Sequence, residues 1–386
     1  MSLIGIVLWS VVACQKEESR FHQNTKRAAD LVILANDKAE GGDFDGALET
    51  LSEAETLYRD NNAPHLQAEV LEKAADVCFD KSDFGCVEQK LIAAKAIYAN
   101  TAGERSPQYT RVLISLGNAY GVGSQFEKAE RSYQQALSNL EEKPRENPEQ
   151  LISLLCAMGD LKEEQHRCDE AMIFYEKLLQ IAKKRYPNRD LRLGQALDRV
   201  AECLVSLGHQ DAAATAYTQV LAIYKQHFDV TEHGHARVLN NAGVVLLDAG
   251  KYMPALEALT MALDVNKKRY GMVHVSVAAN LHNIGSALLS LKRYQASLEA
   301  LETSYAVKTQ IYDGDQADKA NTLSRLGDAY LAAGNKERAL DALERSLAMY
   351  TRLGLGDTTS AERLDIDIAA LKKPKRTKRR PSKKRP

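Results

Sequence analysis

The chain of 386 residues has a formal net charge of -1, with 51 Lys and Arg against 52 Asp and Glu. Only 22 Gly and 9 Pro are present, and a single Trp stands beside 16 Tyr, a composition that suits long amphipathic helices better than sheet. The charge is segregated: residues 372–386 hold ten Lys or Arg and no acid, which leaves a body near -11 and a tail of +10. Such a division favours self-docking or an anionic partner.

From Leu3 to Ala13 the chain is apolar, and Gln15, Lys16, Glu17 and Glu18 then break the run. It is shorter than the roughly 20 residues that span a bilayer, but fits the apolar region of a signal segment, about 7 to 15. Val11-Val12-Ala13-Cys14 resembles a bacterial lipobox, whose cysteine becomes lipidated, although no Lys or Arg precedes the run. Two readings stand for residues 1–24: a membrane anchor lipidated at Cys14, or a hydrophobic cap and linker leading into the first repeat. Cys14, Cys78, Cys86, Cys156, Cys168 and Cys203 show neither CxxC pairs nor the density of a disulfide scaffold. Read as small buried apolar residues, they favour a reducing compartment and a cytoplasmic location.

Self-similarity governs residues 25–357. Turn segments such as GDFDGA at Gly42, GKYMPA at Gly250 and GNKERA at Gly334 set a register. In it a short side chain recurs at Ala47, Val87, Ala129, Ala171, Ala213, Ala255, Ser297 and Ala339, spaced by 40 and then by 42. Twelve residues earlier stand Ala35, Ala75, Gly117, Gly159, Ala201, Gly243, Gly285 and Gly327. A mid-helix Gly costs about 1 kcal/mol relative to Ala, so these positions imply close approach of two helices. An aromatic recurs three before the second column (Phe44, Phe84, Phe126, Tyr252, Tyr294), and a large residue four after it, from Leu51 to Leu343. These are one helix face. Each unit reads as helix A, a turn and helix B, with the large column expected to fill the seam with the next unit.

The pattern resembles the tetratricopeptide repeat, and its 42-residue period resembles the kinesin light chain subgroup, most closely in Val238–Gly243 and in His274–Gly285. The resemblance implies an all-α, right-handed superhelical solenoid of about eight helix-turn-helix repeats. Thr359 and Glu362 have capping-box spacing, so a capping helix is expected over 358–371. Beyond it, the Pro-interrupted basic run of residues 372–386 is expected to be disordered.

No P-loop, dinucleotide glycine pattern, HExxH helix or Gly-x-Ser-x-Gly elbow occurs, so no enzyme, cofactor or metal is expected. His233-Gly234-His235 with His227 reads as a solvated loop cluster. In the resembled family helix A lines a concave groove through residues three before, and one, four and five after, its small column. Carried over, this puts Glu72, Asp76, Asp80, Asp160, Glu163, Glu164, Asp198 and Glu202 in the groove of repeats two to five. Asn118, Asn240, His282, Ser324 and Asp328 line it elsewhere.

Amide and imidazole side chains there suit the main chain of an extended or helical peptide, and the acids would select basic ligands. That departs from kinesin light chain, whose groove favours acidic peptides. Alternatively, the acids form salt bridges with adjacent helices. The tail admits a nucleic-acid or nuclear-import role, a lipid-surface role or docking in the chain's own groove, with Ser382 in Arg379-Arg380-Pro381-Ser382 resembling a kinase site. The expected function is a protein-binding scaffold or adaptor, the alternatives being a nucleic-acid-associated protein and a lipoprotein scaffold.

Overall fold

The computed structural model describes residues 3–142, 147–227 and 233–373, with side chains described from Phe21 onward apart from His233. Among these residues lie seventeen α-helices and no strand. α1 (Leu3–Glu40) pairs with α2 (Phe44–Asp60), α3 (Pro64–Asp80) with α4 (Phe84–Thr101), α5 (Pro107–Val122) with α6 (Phe126–Glu141), and α7 (Pro148–Glu164) with α8 (Cys168–Arg185). Then α9 (Leu191–Ser206) pairs with α10 (Gln210–Tyr224), α11 (His233–Asp248) with α12 (Tyr252–Tyr270), α13 (Val275–Ser290) with α14 (Tyr294–Ile311), and α15 (Ala317–Ala332) with α16 (Lys336–Arg352). α17 (Thr359–Lys372) follows. The chain divides into two compact units, residues 1–181 and 182–386, the division falling inside α8.

The hairpin turn is set by one backbone position. Five residues before the second small column stand Gly42, Ser82, Ser124, His166, Gly208, Gly250, Lys292 and Gly334, all with positive φ. In hairpin seven this left-handed residue lets Lys292 N–H donate to the Leu289 carbonyl and Arg293 N–H to that of Leu288, both at 2.9 Å, so helix A ends satisfied. Helix B then starts at once, capped in hairpins one, two and eight by Asp43, Asp83 and Asn335. A side chain in the left-handed region costs about 1 to 2 kcal/mol. Lys292→Gly, matching four of the other turns, therefore raises stability by about 1 kcal/mol in denaturant unfolding; an unchanged midpoint would contradict this account of the turn.

Both small columns are buried where they carry a side chain, none more than 2% exposed. The large column does more than expected. Leu51, Leu259 and Leu301 share core clusters with residues of the next hairpin, and Tyr133, Tyr175, Leu259, Leu301 and Leu343 also lie directly over Gly117, Gly159, Gly243, Gly285 and Gly327 of their own hairpins. The glycine is the socket and the large side chain its plug. Two further small columns are present that the sequence reading missed. Seven residues before the first column stand Ala28, Ala68, Thr110, Ala236, Ala278 and Ala320; seven after the second stand Ala54, Ala94, Ala136, Ala262, Ser304 and Ser346, all buried. Ser304 and Ser346 hydroxyls donate at 2.7 Å to the carbonyls of Ala278 and Ala320, so the helices also meet at this second level.

In the first unit α1 runs unbroken from Leu3 to Glu40, and Ala28 and Ala35 join Leu51, Tyr58 and Val70 in one core. In the second unit α17 buries Ala361, Leu364 and Ile368 against the core of hairpin eight. The cap of α17 is one residue earlier than the capping-box spacing suggested: Thr358, not Thr359, accepts from the backbone N–H of Ala361. Cys78 and Cys86 are joined by a disulfide, which corrects their reading as reduced core residues. His235 lies buried in the first turn of α11 with its ring against Tyr224, rather than in a solvated loop. Among the described residues no helix is long and apolar enough to cross a membrane.

Candidate functional site

The polar side chains of helix A meet two kinds of neighbour: tyrosine hydroxyls from helix B and arginines from the following helix A. In hairpin two Glu72 accepts from Tyr98 at 2.7 Å and takes a bidentate pair from Arg111 of α5, at 2.8 and 2.7 Å. Burial, then the Glu72 carboxylate, pushes the Tyr98 hydroxyl well above its ordinary range, keeping it a donor. Asp76 and Asp80, on the same helix, are exposed and form no ion pair among the described residues. Desolvation by the surrounding protein, then repulsion from Glu72, holds the Asp76 carboxyl above its ordinary value.

Asn118 accepts from Tyr133 at 2.7 Å. Asp160 and Glu163 share the Tyr175 hydroxyl, at 2.7 and 2.9 Å, while Glu164 lies exposed beside them. In the second unit Asp198 is 2% exposed and accepts from Arg237 of α11 at 3.0 Å. Glu202 accepts from the same guanidinium and from Asn241. Burial, then Glu202, raises the Asp198 carboxyl to about 6 in spite of Arg237. Asp328 takes two bonds of 2.9 Å from Arg363 of α17.

The proposed acidic lining is therefore neutralised in part, at Glu72, Asp198 and Glu202. Glu72, Asp198, Glu202 and Asp328 belong to arginine-bridged joints between successive A helices, which is the structural alternative that the sequence left open. Arg111, Arg237 and Arg363 escaped the sequence reading, though their signal was legible. Arg111 and Arg237 stand six residues before the first-column positions Gly117 and Gly243, and Arg363 follows at the same interval of 126 residues, three periods of 42.

Asn240 and His282 are also tied into joints. Asn240 accepts from Asn280 at 2.9 Å, and Asn280 accepts in turn from Asn266 at 2.8 Å. His282 Nδ1 lies 3.1 Å from the Thr322 hydroxyl, which also takes a bond from Lys308, a side chain buried against Asp318. Burial, then the Lys308 charge, lowers the His282 imidazole to about 4, so it is neutral at pH 7. His282 and Ser324 nonetheless line an open cleft of about 490 Å³ with Asn283, Asn321, Arg325 and Arg363. Asp318, Tyr350 and the first residues of α17 complete its wall. The side chain of Cys14, and Ser382 with the tail from residue 374, lie outside the described residues. Among the described residues no three His, Cys, Asp or Glu side chains converge to hold a metal ion.

A family model described as Tetratricopeptide repeat matches residues 150–226 and 276–352, which contain the helix pairs of hairpins four, five, seven and eight. Those two segments are similar to tetratricopeptide repeats. Among solved structures, the repeats resemble a signal transduction ATPase with numerous domains that has a tetratricopeptide repeat sensor, from Pyrococcus horikoshii. That match has 13% identity and a TM-score of 0.58, and covers 89% of this chain but only 50% of the other. BtubC (BKLC) from P. vanneervenii matches at 22% identity and a TM-score of 0.47, over 60% of this chain and 92% of that one. Putative kinesin light chain repeats from Podosopora anserina match at 19% and 0.45, over 54% and 98%. A search of curated proteins gave no match.

Proposed function

We propose that this repeat protein is a scaffold that holds peptide segments of partner proteins, with the cleft of hairpins seven and eight as its principal seat. The supporting observation is the lining of that cleft. Asn283, Asn321 and Ser324 offer donors and acceptors suited to an extended main chain, and Arg325 adds a planar cation suited to a carboxylate. His282 is neutral there, and the one carboxylate of the lining, Asp318, is paired with Lys308. Peptides with an acidic residue fit this seat better than basic ones, the reverse of the preference read from the sequence, because Arg325 and Arg363 share the single carboxylate of Asp328 beside it, one positive charge in excess of that carboxylate.

Fluorescence anisotropy with the full chain and arrayed peptides of equal length, differing only in acidic, neutral or basic centres, tests the reading. Acidic peptides are expected to bind best, and Arg325→Ala to weaken them about tenfold with no change in melting temperature, the loss of one charge-assisted bond. Equal binding by the variant, or a preference for basic peptides, would remove this cleft from consideration.

A further inference from the structure

We propose that Cys78 and Cys86 form a redox-set covalent latch on hairpin two, and that the chain matures in a compartment where thiols are oxidised. The two cysteines occupy equivalent points in the repeat, three residues after the first small column and one before the second. The fold brings these two positions face to face in hairpin after hairpin, and the sequence fills them with side chains that hold each other. In hairpin one the Lys38 ammonium donates to the Gly46 carbonyl at 3.2 Å. In hairpin three the Lys128 ammonium lies 5.0 Å from the centre of the Tyr120 ring, and in hairpin eight the Arg338 guanidinium lies 5.7 Å from that of Tyr330. In hairpin four Lys162 is 3.6 Å from Glu170. Hairpins five to seven place apolar residues there: Leu204 with Ala212, Leu246 with Pro254, and Leu288 with Ala296.

Hairpin two uses sulfur for the same contact. Its Cα atoms are 5.8 Å apart, inside the span that a disulfide bridges without moving the backbone. Cys156, Cys168 and Cys203 occupy other register positions and are not bonded to one another. Proximity of Cys78 and Cys86 is thus a consequence of the repeat itself.

The reaction is a two-electron oxidation. An oxidised thiol–disulfide oxidoreductase forms a mixed disulfide with Cys86, the partly exposed thiol, and one carrier sulfur leaves as a thiol. The thiolate of Cys78, which is fully buried, then attacks Cys86 Sγ. The carrier departs as a dithiol holding both electrons and the two protons that the cysteines gave up. Thiol pools of a reducing cytoplasm run this exchange backwards, so a persistent latch belongs to an exported chain. The apolar run ahead of Cys14, with its lipobox-like Val11-Val12-Ala13-Cys14, points independently to the same compartment. The proposal stands against the cytoplasmic expectation on these two grounds.

The test is peptide mapping of the full chain from a bacterial host, exported in one preparation and retained in a reducing cytoplasm in the other. Each is denatured in N-ethylmaleimide without reductant. Trypsin separates residues 74–81 from 82–90, so the latch appears as a linked pair that reduction resolves. A linked pair in the exported chain and two alkylated peptides in the retained chain are expected. Alkylated peptides in the exported chain would overturn the latch, and linked pairs in both preparations would overturn the compartment. On the exported chain, reduction is also expected to speed amide exchange in α3 and α4 about tenfold while α15 and α16 are unaffected, as for one locally opened hairpin. Unchanged exchange in α3 and α4 would mean that the bond holds nothing closed.

Discussion

Gly285→Ala is expected to destabilise the protein by about 1 to 3 kcal/mol, although the same change in an ordinary helix stabilises by up to about 1. The added Cβ would lie 2.5 Å from Leu301 Cγ and 3.3 Å from the Ser297 carbonyl oxygen. Leu301 is fully buried and cannot retreat, and the carbonyl belongs to the partner helix. A control is built into the fold: Gly234, in the first turn of α11, has nothing within 4 Å of its would-be Cβ, so Gly234→Ala should be neutral or mildly stabilising. Leu301→Ala alone leaves a cavity, at about 2 to 5 kcal/mol. The double variant Gly285→Ala/Leu301→Ala should cost less than the two singles added together, since each change fills or vacates the space of the other. Urea unfolding of the four proteins decides the matter, and additive losses would mean that plug and socket do not touch.

Arg237→Ala should cost about 3 kcal/mol at neutral pH, because it strands the Asp198 carboxylate in a buried site beside Glu202. The loss should depend on pH in a defined sense. The folded Asp198 carboxyl, at about 6, lies above the ordinary carboxylate value, so its stabilising contribution is complete below that ordinary value. It is lost as pH rises towards 6. Removing Arg237 takes away a positive charge that opposes the rise, moving the window higher. The deficit of the variant is therefore greatest above pH 6 and shrinks towards pH 5, as the carboxyl takes up its proton. Asp198→Asn should abolish this dependence. Denaturation at pH 5 and 7.5 measures all three, and a deficit equal at both would exclude a buried carboxylate as its source.

The sequence disclosed periodicity far better than partnership. The small columns were legible because Gly and Ala inside a helix need a steric reason, and a 42-residue spacing repeats that reason along the chain. The second contact of the large residue was not legible: Leu301 packs with the next hairpin as its register suggests, and only the helix crossing also puts it over Gly285. The groove suffered from a related gap. Asp198 and Glu202 look like ligand-seeking acids on their own helix, and their partner Arg237 lies beyond them by nearly a full repeat. A long-range cation changes the meaning of a carboxylate without altering the pattern around it. The cysteines failed for the opposite reason, since Cys78 and Cys86 were judged by motif spacing when their register position was the informative fact.

The arginines at 126-residue intervals make each unit a graded spring. Joints closed by guanidinium and carboxylate lie between hairpins two and three, between five and six, and between eight and α17. The joint between hairpins six and seven relies on uncharged amides, Asn240 with Asn280. Dissolved ions weaken the joints of Glu72 and Asp328 more than that of the buried Asp198, and leave the amides almost untouched. Raising the ionic strength therefore redistributes compliance within each unit, so that a partner which bends the stack meets a different hinge in dilute and in concentrated salt.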